Sequence, residues 1–272
     1  MADEDMTVLP VRPDDDVYQT PRQFHDILDR PPFVKLMIGS RGTGKTSHLV
    51  NEMMRQNMYG DRKGEEPVFE DIIIYSSTLG CESTARHLVD RATQTYSTYD
   101  NASIDALLEY QKSKPKEERR HICVIADDIG PMLKREDSIF KLTSVHRHYL
   151  ISIYFLIQSP RMVPPVVRNC YTSAYIFRLP NQSELEKVFL DFSFLGDRRE
   201  VEAMYKAATP KPYQCMVIDA VKNRVWQWGA CKPMLLWEKF DANGGYSPPF
   251  SQSRSIAEKS SDEQVESDVE CR

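Results

Sequence analysis

Eight successive residues, Gly39-Ser40-Arg41-Gly42-Thr43-Gly44-Lys45-Thr46, space glycines, a lysine and a hydroxyl as a complete G-x-x-x-x-G-K-[ST] pattern. Such a segment suits a polyphosphate. Its negative charges are met by backbone N–H groups, and only small residues let the chain wrap tightly enough to aim those donors inward. Ser40, Arg41 and Thr43 complete the loop, Lys45 reaches the β- and γ-phosphates of ATP, the Thr46 hydroxyl is placed to ligate Mg²⁺, and Ser47 follows as a further nucleotide contact. A chance glycine-rich turn would give the full pattern in only roughly one chain in a hundred of this length. The flanking FVKLMI and HLVNEMM supply the strand and helix that the chemistry requires.

The segment HICVIADDIG puts two carboxylates after an apolar run. Asp127 is expected to hold Mg²⁺ through its water shell, and Asp128 to act as general base on the attacking water, with a side chain one carbon shorter than the usual Glu. In isolation Asp-Asp-x-Gly would be read as a strand-ending turn. ISIYFLIQSP ends another apolar run in Gln158, a sensor candidate for the γ-phosphate, because strand carboxyl ends face the ligand crevice of a doubly wound sheet. Arg147 stands just before that strand and Arg168 just after it, both expected near the same edge. Either is a candidate arginine supplied to a neighbouring copy's nucleotide, a role that raises phosphoryl-transfer rates by roughly 10³–10⁵.

These side chains need a sheet to hold them. Phe33–Ile38, Asp71–Ser76, Ile122–Ala126, Ser152–Ile157 and Ser173–Leu179 read as short buried parallel strands, apolar on both faces. Thr46–Tyr59, Glu82–Ala92, Ile104–Lys112, Ile139–Tyr149 and Gln182–Phe192 carry apolar residues at helical steps, the last capped by Asn181 or Ser183. Tyr213–Ala220 and Arg224–Gly229 read as an antiparallel hairpin extending one edge. The pattern predicts an α/β fold with a mainly parallel central sheet flanked by helices and a C-terminal antiparallel hairpin. Residues 1–32 are expected as an extended arm with a short helix near Pro21–Leu28, 33–240 as a single domain, and 241–272 as a disordered, acidic, Ser-rich tail.

Composition bounds the partners. The 272 residues are 41% hydrophobic and 28% charged, ordinary for a soluble protein, and a net charge of −5 provides no global attraction to nucleic acid. Six widely spaced cysteines without a Cys-x-x-Cys pair read as reduced thiols, several of them buried, and not as a zinc site or disulfide framework. With no apolar run of spanning length and an acidic start, the chain is expected to have no membrane span and to stay inside the cell.

Together, GSRGTGKTS, DIIIYSSTLG, CVIADDIG and VHRHYLISIYFLIQSPRMVPPVVRNC resemble the genome-packaging ATPases of large eukaryotic DNA viruses, the poxvirus-type branch of the FtsK/HerA superfamily, over about residues 33–180. The resemblance implies a RecA-like P-loop fold with an additional strand, a homo-oligomeric ring, and hydrolysis of ATP with Mg²⁺ to translocate double-stranded DNA. It further implies a capsid or portal-vertex partner, and residence in the host cytoplasm or viral factory. Carried over, Lys45 and Thr46 bind nucleotide and Mg²⁺, Asp127 and Asp128 form the acidic pair, Gln158 senses the γ-phosphate, and Arg147 or Arg168 acts in trans. Two rivals stand beside it: a P-loop kinase of a small molecule or nucleotide, for which Asp197-Arg198-Arg199 would be the only lid-like cluster, and a nucleotide-binding scaffold with little turnover. A GTPase switch lacks its Asn-Lys-x-Asp reader.

Overall fold

The computed structural model describes residues 22–78 and 83–239. The expected tail, the first part of the expected arm, Cys81 and Cys271 lie outside the described residues. The chain divides into two compact units. Among the described residues the first comprises 22–38 and those of 44–173, and the second comprises Gly39–Thr43 and 174–239.

The first unit is built on β1 (Val34–Ile38), β2 (Asp71–Ser76), β3 (Gln94–Tyr96), β4 (Ile122–Asp127) and β5 (Ile151–Ile157). They pair in the order β3-β2-β4-β5-β1, every pair parallel. Parallel strands need long crossovers, and α1 (Lys45–Met54), α2 (Arg86–Arg91), α3 (Asn101–Lys112) and α4 (Ser138–Val145) fall in them, with α5 (Pro165–Cys170) following β5. Every residue of β1, β4 and β5 is buried, as an apolar run covered on both faces requires. Lys35 is the exception in character: it is the second residue of β1 and is fully buried.

Helix limits move for local reasons. α1 stops at Met54, not Tyr59, because Arg55 turns extended and the Tyr59 N–H folds back to the Glu52 carbonyl at 2.8 Å, burying the ring. α3 starts earlier than expected because the Asp100 carboxylate accepts from the Ala102 N–H and caps it. The stretch expected as one helix over Ile139–Tyr149 is α4 followed by a 3₁₀ turn, His146–Tyr149, closed by Leu150 at φ 52°. No helix forms over 22–28; the His25 ring accepts the Ile27 N–H instead, a local bond that competes with helical pairing. Ile27 and Leu28 are buried, so this part of the expected arm is packed chain.

The second unit holds β6 (Ser173–Phe177, from Ala174), α6 (Gln182–Asp191), α7 (Arg198–Ala208), β7 (Gln214–Asp219), β8 (Arg224–Gly229) and β9 (Met234–Glu238), with strand order β6-β7-β8-β9. Asn181 caps α6, and β7 with β8 forms the expected antiparallel hairpin; α7 and the antiparallel β9 were not foreseen. α7 begins with a capping box, the Asp197 carboxylate accepting from the Arg199 and Glu200 N–H groups while Glu200 accepts from that of Asp197. Cys123, Cys170, Cys215 and Cys231 are free thiols, the first and third buried. Among the described residues, no helix is long and apolar enough to cross a membrane.

Candidate active site

The register of the parallel sheet decides which residues can meet. Ile38, the last residue of β1, lies opposite Ile157, the last of β5; one step back Leu156 lies opposite Asp127, which in turn lies opposite Ser76, the last of β2. The carboxyl ends of β1, β2, β4 and β5 are therefore level to about one residue, roughly 3 Å. Asp127 ends β4, Asp128 follows it, Gln158 follows β5, and α1 begins at Lys45 after the loop that leaves β1.

Two hydrogen-bonded pairs form along this edge. Asp127 is almost fully buried and accepts from the Ser76 hydroxyl at 2.8 Å. Asp128 takes a left-handed backbone at φ 53°, a conformation that Asp tolerates better than most residues, while its N–H continues the ladder to the Leu156 carbonyl at 3.2 Å. That half-buried carboxylate accepts from Gln158 Nε2 at 2.9 and 3.2 Å on its two oxygens. The Gln158 N–H donates to the Met162 sulfur at 3.4 Å, tying the loop after β5 to the same corner.

The loop itself follows its sequence. Gly42 and Gly44 stand at φ 71° and 101°, where a side chain would strain the turn, and a Cβ on Gly39 would come within 2.7 Å of the Phe177 Cβ. The Thr43 hydroxyl donates to the Ser40 carbonyl at 2.8 Å, and Arg41 and Ser47 are exposed. α1 has no side-chain cap and no acidic residue in its first turn. The first N–H groups of a helix have no intrahelical acceptor, so a glycine entry of this kind leaves them to an anion.

Mg²⁺ fits this set. It keeps several waters and needs only one or two protein oxygens beside the phosphates, so a cluster of three ligating side chains, absent among the described residues, is not required. Asp127 offers a carboxylate oriented by Ser76, and Thr46 a hydroxyl on the first turn of α1. Ser76 escaped the sequence reading, since only the register sets it opposite Asp127.

Arg147 does not join this corner. Arg147 lies in the 3₁₀ turn ahead of β5, at the amino ends of the strands: the neighbouring Leu150 carbonyl accepts from the Ile122 N–H that opens β4. Seven residues of β5 separate the two ends, roughly 23 Å, so the expectation that Arg147 shares the glutamine's edge is corrected. Arg147 is exposed, and Arg168 is half-buried in the last turn of α5. Arg198, of the lid-like cluster, pairs with Glu186 and Glu202, and Asp197 is the cap of α7.

Comparison with solved structures finds the genome packaging NTPase B204 of Sulfolobus turreted icosahedral virus 2. Its complex with ATP-gammaS gives a TM-score of 0.50 at 14% identity, covering 72% of this chain and 95% of that one. The complex with AMP gives 0.51 at 15%, covering 72% and 96%. At these identities the likeness establishes a shared fold, the mainly parallel α/β architecture of P-loop packaging ATPases. The comparison with curated proteins finds no match. The family described as Poxvirus A32 protein matches residues 85–227, more than half of the 272 residues, and the chain belongs to that family.

Proposed function

We propose that this protein is an ATP-hydrolysing motor that moves double-stranded DNA into a viral capsid. The observation that carries the reading is the level carboxyl edge of β1, β4 and β5, where the start of α1, the Ser76-held Asp127 and the Asp128–Gln158 pair sit on one sheet. ATP would lie with its phosphates along the Gly39–Thr46 segment, its charge met by backbone donors and by the Lys45 ammonium. Asp127 and Thr46 would hold Mg²⁺, which would offset the phosphate charge when bound. Asp128 would accept the proton of the attacking water. Gln158, which touches both oxygens of that carboxylate, would hold it in line and exchange one of these bonds for the γ-phosphate or the water.

Family membership supports packaging as the task, and the B204 complexes support nucleotide binding by this fold. We read the working assembly as a homo-oligomeric ring with a capsid or portal-vertex partner, acting in the infected cell's cytoplasm or viral factory. Arg168 or Arg147 would act on a neighbour's nucleotide. The kinase reading loses its lid, because Arg198 is engaged by two glutamates and Asp197 by the helix it caps.

The test is phosphate release from ATP with and without double-stranded DNA. A motor gives Lys45-dependent turnover that rises with DNA; turnover stimulated only by a small acceptor, or none at all, overturns the proposal. Mixing Lys45→Ala with Arg168→Ala subunits separates the arginine roles, since only an arginine acting across subunits restores activity in the mixture.

A further inference from the structure

Lys35 is a charge near the start of an otherwise apolar strand, and its surroundings are built for it. Its Nζ donates to Glu52 Oε2 at 2.9 Å and to the Tyr59 hydroxyl at 3.0 Å, and stands 3.7 Å from Asp29 Oδ2. The rings of Phe33, Tyr59 and Tyr154 lie 4.6, 4.8 and 5.4 Å from the ammonium. Glu52, also fully buried, accepts from the Tyr154 hydroxyl at 2.7 Å, and its other oxygen meets His48 Nε2 at 3.2 Å. Burial would raise the Glu52 carboxyl, but the Lys35 ammonium and the bonds from His48 and Lys35 outweigh it and hold the group at about 2, below the usual carboxylate range.

Stability alone is a poor reason to keep such a pair. Replacing a buried ion pair by apolar side chains of similar volume is often neutral or stabilising. What apolar packing supplies weakly is axial position, because a hydrophobic contact tolerates sliding and a directional hydrogen bond does not. The network ties together two elements of the proposed site. Glu52 and His48 lie on α1, the helix that opens with Lys45 and Thr46; Tyr154 lies on β5, directly opposite Lys35 of β1, and Gln158 follows the end of β5. Glu52 is about 10 Å along the helix from Lys45 and Tyr154 about 13 Å along the strand from Gln158. A misplacement of about 1 Å at a reacting centre costs about 100-fold in rate.

We propose that Glu52, Lys35 and Tyr154 form a positioning unit that sets the start of α1 against the end of β5, and so controls the rate of ATP turnover with little effect on nucleotide affinity. The inference rests on the reading above, in which Lys45 and Gln158 act on one nucleotide. None of the three residues touches the substrate in that reading; they act through α1 and β5.

The experiment uses the full chain and measures kcat, affinity for a fluorescent ATP analogue with Mg²⁺, and thermal melting, with turnover read well below the melting midpoint. Tyr154→Phe removes one hydroxyl and keeps the ring. It is expected to lower kcat about tenfold with affinity within about twofold, and to lower it by less than about twofold in a Gln158→Ala background. Glu52→Gln, which retains an acceptor for Tyr154, is expected to keep several-fold more kcat than Glu52→Leu. Normal kcat in Tyr154→Phe, an equal loss in both backgrounds, or Glu52→Gln no better than Glu52→Leu would overturn the positioning role while leaving a Lys45-dependent ATPase intact. A parent protein without Lys45-dependent hydrolysis would instead overturn the ATPase reading, and this inference with it.

Discussion

The two ends of the parallel sheet in the first unit are finished differently. At the amino ends, side-chain donors are spent on the protein's own carbonyls and carboxylates. Gln111, fully buried, donates to the Arg120 and Tyr149 carbonyls at 2.7 Å each, Arg119 donates to the His148 carbonyl, and Arg120 is held by Glu70 and Asp71. At the carboxyl ends, Asp127, Asp128 and Gln158 sit on strand termini, and the neighbouring helix enters through glycine without a side-chain cap. α7 makes the same point within the second unit: a helix start with a structural role alone closes itself with Asp197 and Glu200. An edge shaped for stability satisfies its own donors, and an edge shaped for a ligand carries groups that a phosphate and a cation can use.

Substitutions at the two ends should therefore separate activity from stability. The largest effect is expected from Lys45→Ala, which removes the cation proposed to meet the phosphates and should cut hydrolysis by about 10³-fold or more in a phosphate-release assay. Asp128→Asn keeps the shape and one of the two Gln158 bonds but removes the proposed base, and should lower kcat by about 10²–10³-fold with nucleotide affinity within a few-fold. Ser76→Ala loosens Asp127 without removing it, and should raise the Mg²⁺ concentration needed for half-maximal turnover about tenfold.

The amino end should respond in stability. His146 is held by its Nδ1–H to the Thr143 carbonyl at 2.8 Å, while its Nε2 is buried without a hydrogen-bond partner among the described residues. Burial lowers its pKa from 6.5 to about 4, with Arg147 and His148 adding to the effect and the Thr143 bond opposing it. Between those values the unfolded chain binds a proton that the folded one does not, so stability rises with pH there and is lost as pH falls from about 6.5 to about 4, by about 3 kcal/mol in total. A melting series over that range should show the slope in the parent and a shallower one in His146→Phe. The smallest effect is expected from Arg120→Ala, whose exposed ion pairs are screened by solvent; turnover should stay within about twofold.

What could be read in the sequence was what is contiguous in the chain. The glycine loop, the Asp127–Asp128 pair and Gln158 each announce themselves within a few residues, and the apolar runs gave β1, β2, β4 and β5 nearly to the residue, while the short, polar and mostly exposed β3 carried no such signal. The poxvirus-type resemblance rested on those same segments and agrees with the family match, which begins after the glycine loop. What depended on register or on packing was hidden. Ser76 gains its meaning only opposite Asp127, and Lys35 in FVKLMI looks like a break in a hydrophobic run until Glu52, Tyr59 and Tyr154 close around it. Arg147 erred the other way: near Gln158 in sequence, it is carried to the far end of the sheet by the strand between them.

The central claim is that ATP binds at the carboxyl ends of β1, β4 and β5 with one metal beside Asp127. A crystal structure with a non-hydrolysable ATP analogue and Mn²⁺, whose anomalous signal locates the metal, tests it most directly. The account predicts phosphates along Gly39–Thr46 and the manganese peak next to Asp127 and Thr46; nucleotide or manganese at the amino ends near Arg147, or a metal away from Asp127, would contradict it.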